Sequence, residues 1–264
     1  MQSLSLLSYN IQAGIHSRQY SDYLTNSWKH FLPYRERLDN LTRIASLLRG
    51  YDLVGLQEVD SGSLRSAYVD QVQFLAASGG FPYWHRQVNR NLGMLAQHSN
   101  GILSRVRPDK VTEHKLPGLP GRGAVVAEFA LSDGEDLAVC ILHLALGRRA
   151  RAMQLDYLSP LIHRYPYLVM MGDFNCSCSS KSLRTLALRY RMQGLDCNLK
   201  TYPSWRPRRN LDHVLTSPAM RIQEARVLEY PFSDHLPLAV KVALPAGVRL
   251  IAGQPNCDLG RLAA

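Results

Sequence analysis

Tyr167 to Asn175 reads YLVMMGDFN. Five apolar residues run into Gly172, and an acid and an amide follow within the next three positions. A short apolar run bounded by Gly and polar residues is the pattern of a strand buried on both faces. Gly172 allows the backbone a turn or a close approach at the strand's end. Side chains alternate along extended chain, so Asp173 and Asn175 are expected on one side with Phe174 pointing back. A core strand that delivers a carboxylate and a carboxamide to its rim suits a hard cation together with a phosphate or carbonyl. Asp and Asn are also ordinary turn residues, so the reading rests on the rest of the chain.

Working outward, other apolar strands end the same way. Leu4 to Ile11 (LSLLSYNI) carries Asn10 near its end, and Asp52 to Gln57 (DLVGLQ) delivers Glu58. Leu137 to Leu142 ends in His143; Leu211 to Thr216 carries Asp212 and His213; Asp234 and His235 precede the strand expected over Leu236 to Ala243. Further strands are expected at Tyr83 to Val88, Asn100 to Leu103, Val111 to Leu116, Gly123 to Leu131 and Arg221 to Leu228. Helical spacing predicts helices over Arg35 to Arg49, with Gly50 at the cap, Asp70 to Ala77, Arg148 to Tyr165 and Ser182 to Met192. Pro160 is expected to kink or break the third. The loop from Gln12 to Pro33 is long and holds His16, Tyr20, Tyr23, Trp28 and His30, which argues for packing or substrate contact.

The order of elements gives two strand-and-helix halves. Each would be a sheet covered by helices on one face, and the two would pack sheet to sheet as a four-layered α/β/β/α sandwich of mixed sheets. No repeat or linker is evident, so residues 1–244 read as one domain, with the tail 245–264 unassigned. The 264 residues suffice for such a core.

The formal charge is +10, and Arg supplies 25 of 31 basic residues. Planar guanidinium groups bind phosphate bidentately, so anionic partners are favoured, among them nucleic acid and anionic lipid. The first residues lack the features of a signal peptide, and no apolar run reaches the length of a bilayer span. Five cysteines without metal-finger spacing point to a cytoplasmic chain without structural disulfides.

If the strand ends gather at one edge, Glu58 and the aspartates make an oxygen-rich site suited to Mg²⁺ or Mn²⁺. Two histidines with carboxylate neighbours add acid or base chemistry near neutral pH. The segments LLSYNIQ, VGLQEVD, SNGILSR, ILHLALG, MGDFN, NLDHVLTS and FSDHLPLAV resemble, in order, the signature blocks of the endonuclease/exonuclease/phosphatase superfamily. The resemblance runs from about residue 4 to residue 243 and implies a DNase I-like fold and metal-dependent hydrolysis of a phosphoester. It implies Glu58 as the principal metal ligand, with Asn10 beside it and Asp234 as a further one. His235 would contact the scissile phosphate and assist proton transfer, and Asp212 would orient it. Asp173 would align or deprotonate the attacking water, Asn175 would hold a phosphate oxygen, and His143 would serve as acid or phosphate contact. Asn100 is implied as a substrate contact, and Arg122 could reach phosphate. His213 is expected to be structural because it faces away from Asp212 along its strand.

The chain departs from the AP-endonuclease pattern: it has Tyr9-Asn10-Ile11-Gln12 where that branch reads W-N-V-N-G, and Arg-Arg-Asn leads into its Asp-His block. The TYPS block at Thr201 to Ser204 is closer to generic bacterial metal-dependent hydrolases and the sphingomyelinase-like branch. Three readings follow: a Mg²⁺-dependent phosphoesterase on a small or lipid-linked phosphodiester, a DNA or RNA nuclease, and a non-catalytic nucleic-acid-binding member.

Overall fold

The computed structural model describes residues 1–15, 17, 19, 21, 32–34, 36–251 and 260–261. Thirteen strands are described: β1 Ser3–Asn10, β2 Leu53–Asp60, β3 Tyr83–Asn91, β4 Gln97–Ser104, β5 Lys110–Lys115, β6 Gly123–Ala130, β7 Asp136–His143, β8 Tyr167–Asp173, β9 Gln193–Gly194, β10 Asp212–Thr216, β11 Arg221–Val227, β12 Leu238–Ala243 and β13 Gly260–Arg261. Four α-helices accompany them: α1 Glu36–Leu48, α2 Gln71–Gly79, α3 Arg148–Arg164 and α4 Lys181–Tyr190. One sheet has the order β11-β12-β1-β2-β4-β3-β13, the other β5-β6-β7-β8-β10-β9.

Each sheet is built around one parallel pair joined by a helix. β1 runs parallel to β2 through α1, and β7 runs parallel to β8 through α3; the flanking pairings are antiparallel. A parallel pair needs a long crossover, and a helix on the sheet face supplies it.

The four layers follow from three apolar seams. Leu6, Leu53, Ile141, Val169, Met171, Val214 and Leu238 pack between the sheets. Leu41, Ile44, Leu48, Val72 and Leu75 join α1 and α2 to the outer face of the first sheet. Leu155, Leu158, Leu183 and Leu186 join α3 and α4 to the outer face of the second. The expected α/β/β/α sandwich is what forms.

Two glycines let the layers close. A Cβ on Gly55 would lie 2.5 Å from Ile141 Cδ1, in the middle of the inter-sheet seam. A Cβ on Gly172, whose φ is +147°, would lie 1.9 Å from the Leu142 carbonyl oxygen of the neighbouring strand. The close approach expected of Gly172 is therefore to β7.

Several expectations need correction. Cys178 and Cys197 form a disulfide across 19 residues, with Cα atoms 5.7 Å apart, while Cys140 and Cys176 are free and buried. The odd count had hidden one pair. α3 is not broken at Pro160 but continues to Arg164. The Asp156 carbonyl, which lacks a residue-160 N–H to bond, accepts the Ser159 hydroxyl at 2.8 Å instead. The strand expected from Leu236 begins at Leu238, because residues 234–237 turn into the site. In the tail left unassigned from sequence, Val248 joins the inter-sheet core, and Leu250 bridges to Leu131. His16, Tyr20, Tyr23, Trp28 and His30 lie outside the described residues.

Candidate active site

The carboxyl ends of the two parallel pairs meet at one edge of the sandwich. On the second sheet His143, Asp173 and Asp212 stand in one rung, since Asp173 pairs with His143 of β7 and with Asp212 of β10. On the first sheet Asn10 pairs with Gln57, and Glu58 follows. Ligands of open α/β sheets bind outside the carboxyl ends of the strands, and this edge has that geometry twice over.

Glu58 owes its position to an irregularity. The β2–β4 register slips between Leu56 and Val59, and Glu58 in the bulge has a φ of +55°. A bulge re-aims one side chain, and a non-glycine residue at positive φ stores backbone strain. Its side chain keeps 35% exposure and lies 3.8 Å from His143 Nε2. Desolvation first, then the Asp234 charge, push its carboxyl above the ordinary range, against His235 and Arg122.

Asp173 is the hub. Its Oδ1 accepts the Asn175 backbone N–H at 2.8 Å, and its Oδ2 accepts Asn10 Nδ2 and Asn175 Nδ2, both at 3.3 Å. Burial is the main cause that holds this acid up to about 7; Asp212 and Glu58 add to it and His235 opposes. Asn175, at φ +51°, also donates its amide to Leu144 O at 2.9 Å. Both amide hydrogens are thus engaged, and a phosphate oxygen would have to replace the longer contact. Asn10 turns its oxygen to the Gln12 N–H at 3.2 Å, so as placed it orients Asp173 and offers a metal only its second lone pair.

His235 and Asp212 form the closest histidine–carboxylate pair of the site, Nδ1 to Oδ2 at 2.7 Å, and Thr201 Oγ1 donates to the same oxygen at 2.5 Å. Burial lowers the His235 pKa, but Asp212, Asp173 and Asp234 together hold the imidazole well above its ordinary value. His143 is the opposite case: desolvation, then Arg122 and His235, hold it well below, so it is neutral. Arg122 Nη1 lies 3.4 Å from its Nδ1, which places the proton on Nε2. That Nε2 is buried, 3.4 Å from Asp173 Oδ2, with no hydrogen-bond partner, so it can donate to a substrate oxygen. Asp234 accepts Ser233 Oγ at 3.1 Å and lies close enough to Glu58 to raise its pKa.

Glu58, Arg122, Ala145 and Gly147 line an open cleft with a cavity volume of about 440 Å³. Arg90, His98, Leu119 and Leu146 also line it, and nothing in their local sequence had marked them. A larger cavity of about 500 Å³ between α3 and α4 contains none of these acids or histidines. Chemistry rather than volume identifies the site. Asn100 is fully buried and donates to Gly123 O at 2.9 Å, tying β4 to β6. His213 faces away, as expected, with Nε2 2.7 Å from Cys176 O.

A divalent cation fits this donor set in a particular way. Among the described residues no three His, Cys, Asp or Glu groups converge to enclose an ion. Yet the Asp234 charge raises the Glu58 carboxyl and the Glu58 charge raises Asp173, a repulsion that a cation would relieve. Mg²⁺ is commonly held by one or two carboxylates, with water and substrate phosphate completing its shell. Glu58 with Asp234 or Asn10 meets that description.

A family model described as Endonuclease/Exonuclease/phosphatase family matches residues 7–235. Among solved structures, an endonuclease/exonuclease/phosphatase from Beutenbergia cavernae is 19% identical, with a TM-score of 0.71 over 93% of this chain and 72% of that one. A mannosyl-6-phosphatase from Bacteroides thetaiotaomicron is 16% identical, with a TM-score of 0.68 over 91% of this chain and 100% of that one. The human Nocturnin catalytic domain with bound sulfate is 16% identical, with a TM-score of 0.66 over 92% and 94%. These likenesses bear on the fold. No curated protein matches the chain.

Proposed function

The chain belongs to the endonuclease/exonuclease/phosphatase family, and from that premise we propose that it is a Mg²⁺- or Mn²⁺-dependent phosphoesterase that hydrolyses a phosphodiester, small or lipid-linked, by attack of water. One observation carries the reading: the rung His143–Asp173–Asp212 stands next to Glu58, Asn10 and His235 at one open edge.

Glu58 would hold the cation, with Asp234 and Asn10 beside it. A bound divalent ion supplies Lewis-acid stabilisation of the charge that develops on phosphate oxygen, worth several kcal/mol. Asp173, held up to about 7 by burial, takes a proton from water near neutral pH. Asn10 and Asn175 fix its carboxylate for that transfer. His235, kept protonated by Asp212, donates to the departing oxygen. His143 Nε2 and Arg122 bind non-bridging oxygens.

The test is hydrolysis of bis(p-nitrophenyl) phosphate with Mg²⁺ or Mn²⁺ against EDTA. Metal-dependent release of nitrophenolate supports the reading; equal rates with chelator contradict it. Nucleic acid is the second reading, favoured by the +10 charge and by Arg90 and Arg122 at the cleft. DNA affinity that falls steeply with salt would support it.

A further inference from the structure

Three loops leave the edge that carries the site. Residues 92–96 join β3 to β4, residues 116–122 join β5 to β6, and residues 144–147 follow His143. All three emerge at the active edge, because His98 pairs with Asp60, and Gly123 pairs with His143.

Their tips are apolar and bare. Met94 is 76% exposed, Leu119 84% and Leu146 75%; Leu92 and Leu95 are also exposed. Leu119 and Leu146 flank the cleft itself. Isolated exposed leucines are common, but apolar tips on three separate loops around one cleft mouth form a patch of the kind that marks an interaction site.

The charge on the three loops themselves has one sign. Stretches 90–98, 116–123 and 144–149 contain no Asp or Glu, yet hold Arg90, Arg122, Arg148 and Arg149, none of them buried. The acids of the adjoining loop are already neutralised, Asp60 by Arg65 and Asp70 by Arg86. Apolar tips backed by arginine suit a surface that is anionic outside and hydrocarbon beneath.

We infer that this rim docks the protein on an anionic lipid surface, with Met94, Leu95, Leu119 and Leu146 entering the acyl boundary and the arginines meeting lipid phosphates. The site then opens towards the headgroups, so its substrate is a phosphodiester presented at a bilayer. That last step rests on the phosphoesterase reading; the docking does not.

The experiment is co-sedimentation of the full chain with vesicles of phosphatidylcholine containing about 30 mol% phosphatidylserine, compared with phosphatidylcholine alone. The hairpin-tip variant Met94→Glu/Leu95→Glu is run beside the wild type, with the thermal midpoint and bis(p-nitrophenyl) phosphate hydrolysis of both. The expected result is binding to the anionic vesicles, weakened about tenfold or more in the variant, with midpoint and hydrolysis unchanged. Wild-type protein that stays in the supernatant, or a variant that binds as well as wild type, overturns the inference. So does binding to duplex DNA without binding to vesicles, which would make the rim a nucleic-acid surface. Vesicle binding without metal-dependent hydrolysis would remove the phosphoesterase reading and leave the docking standing.

Discussion

His235 Nδ1 lies 2.7 Å from Asp212 Oδ2, and the two come from different elements: Asp212 opens β10, whereas His235 precedes β12 of the other sheet. The pair therefore ties the sheets together at the edge that carries the candidate site. Burial alone would deprotonate His235; the Asp212 charge, together with the Asp212 hydrogen bond and the charges of Asp173 and Asp234, outweighs it. Asp212→Asn removes that charge, so the imidazole pKa falls. If His235 acts as acid, the alkaline limb of kcat/KM moves to lower pH and kcat falls about 10²- to 10⁴-fold. A pH–rate profile checks both, and an unmoved limb would rule His235 out as the acid.

Gly172 closes the β7–β8 ladder that carries His143 and Asp173. Gly172→Ala places a Cβ 1.9 Å from Leu142 O at a φ of +147°. The strand must move, and we expect a loss of about 3 kcal/mol or more in urea unfolding. Gly50→Ala, whose Cβ meets nothing within 4 Å, is the control and should change little.

Asp60, at the end of β2, ties down the loop that follows Glu58. It accepts the Gly62 and Ser63 N–H groups, the Ser63 and Ser66 hydroxyls, Arg65 Nε at 2.5 Å and the Gln97 N–H. Burial would raise its pKa, but Arg65 and Ser63 outweigh this and lower it to about 2 from 3.8. A depressed folded pKa means stability present above the unfolded value and lost as pH falls from about 4 to about 2. The increment is about 2 kcal/mol, and Asp60→Asn should lose at least that much at neutral pH. Urea unfolding at a series of pH values checks it: the variant's curve should be flatter by that amount across the acid range.

The Cys178–Cys197 bond ties the segment after Asn175 to the turn that follows β9. Closing a loop of that length is worth about 3 kcal/mol through the unfolded state. Reductant should lower the thermal midpoint of the wild type and leave a Cys178→Ser/Cys197→Ser variant unmoved. Equal response of both would show that the bond adds no stability.

What could be read from sequence was what strands buried on both faces and periodic helices write locally. β8 is legible because both its faces are covered, so YLVMM is continuous, and α1 because Leu41, Ile44 and Leu48 recur on one face. The residues that converge were legible too, since each stands at or next to one end of an apolar run. Their partners were not. That Asp173 stands between His143 and Asp212 is a matter of strand register, which joins positions far apart in the chain. The bulge under Glu58 has no local signal, for the positive φ there falls on a glutamate rather than on a glycine. Cys178 and Cys197 carry no spacing that marks a bridge, and Ser159 masks the helix-breaking of Pro160 by satisfying Asp156. The exposed Leu119 and Leu146 look in sequence like any core leucine.

The central claim is that Asp173, held by Asn10 and Asn175, serves the water attack in a metal-dependent site. The measurement that bears on it most directly is kcat for bis(p-nitrophenyl) phosphate at saturating Mg²⁺, wild type against Asp173→Ala, with thermal midpoints in parallel. We predict a fall of about 10²-fold or more with the variant still folded. Retention of most of the wild-type rate by folded Asp173→Ala would contradict the account.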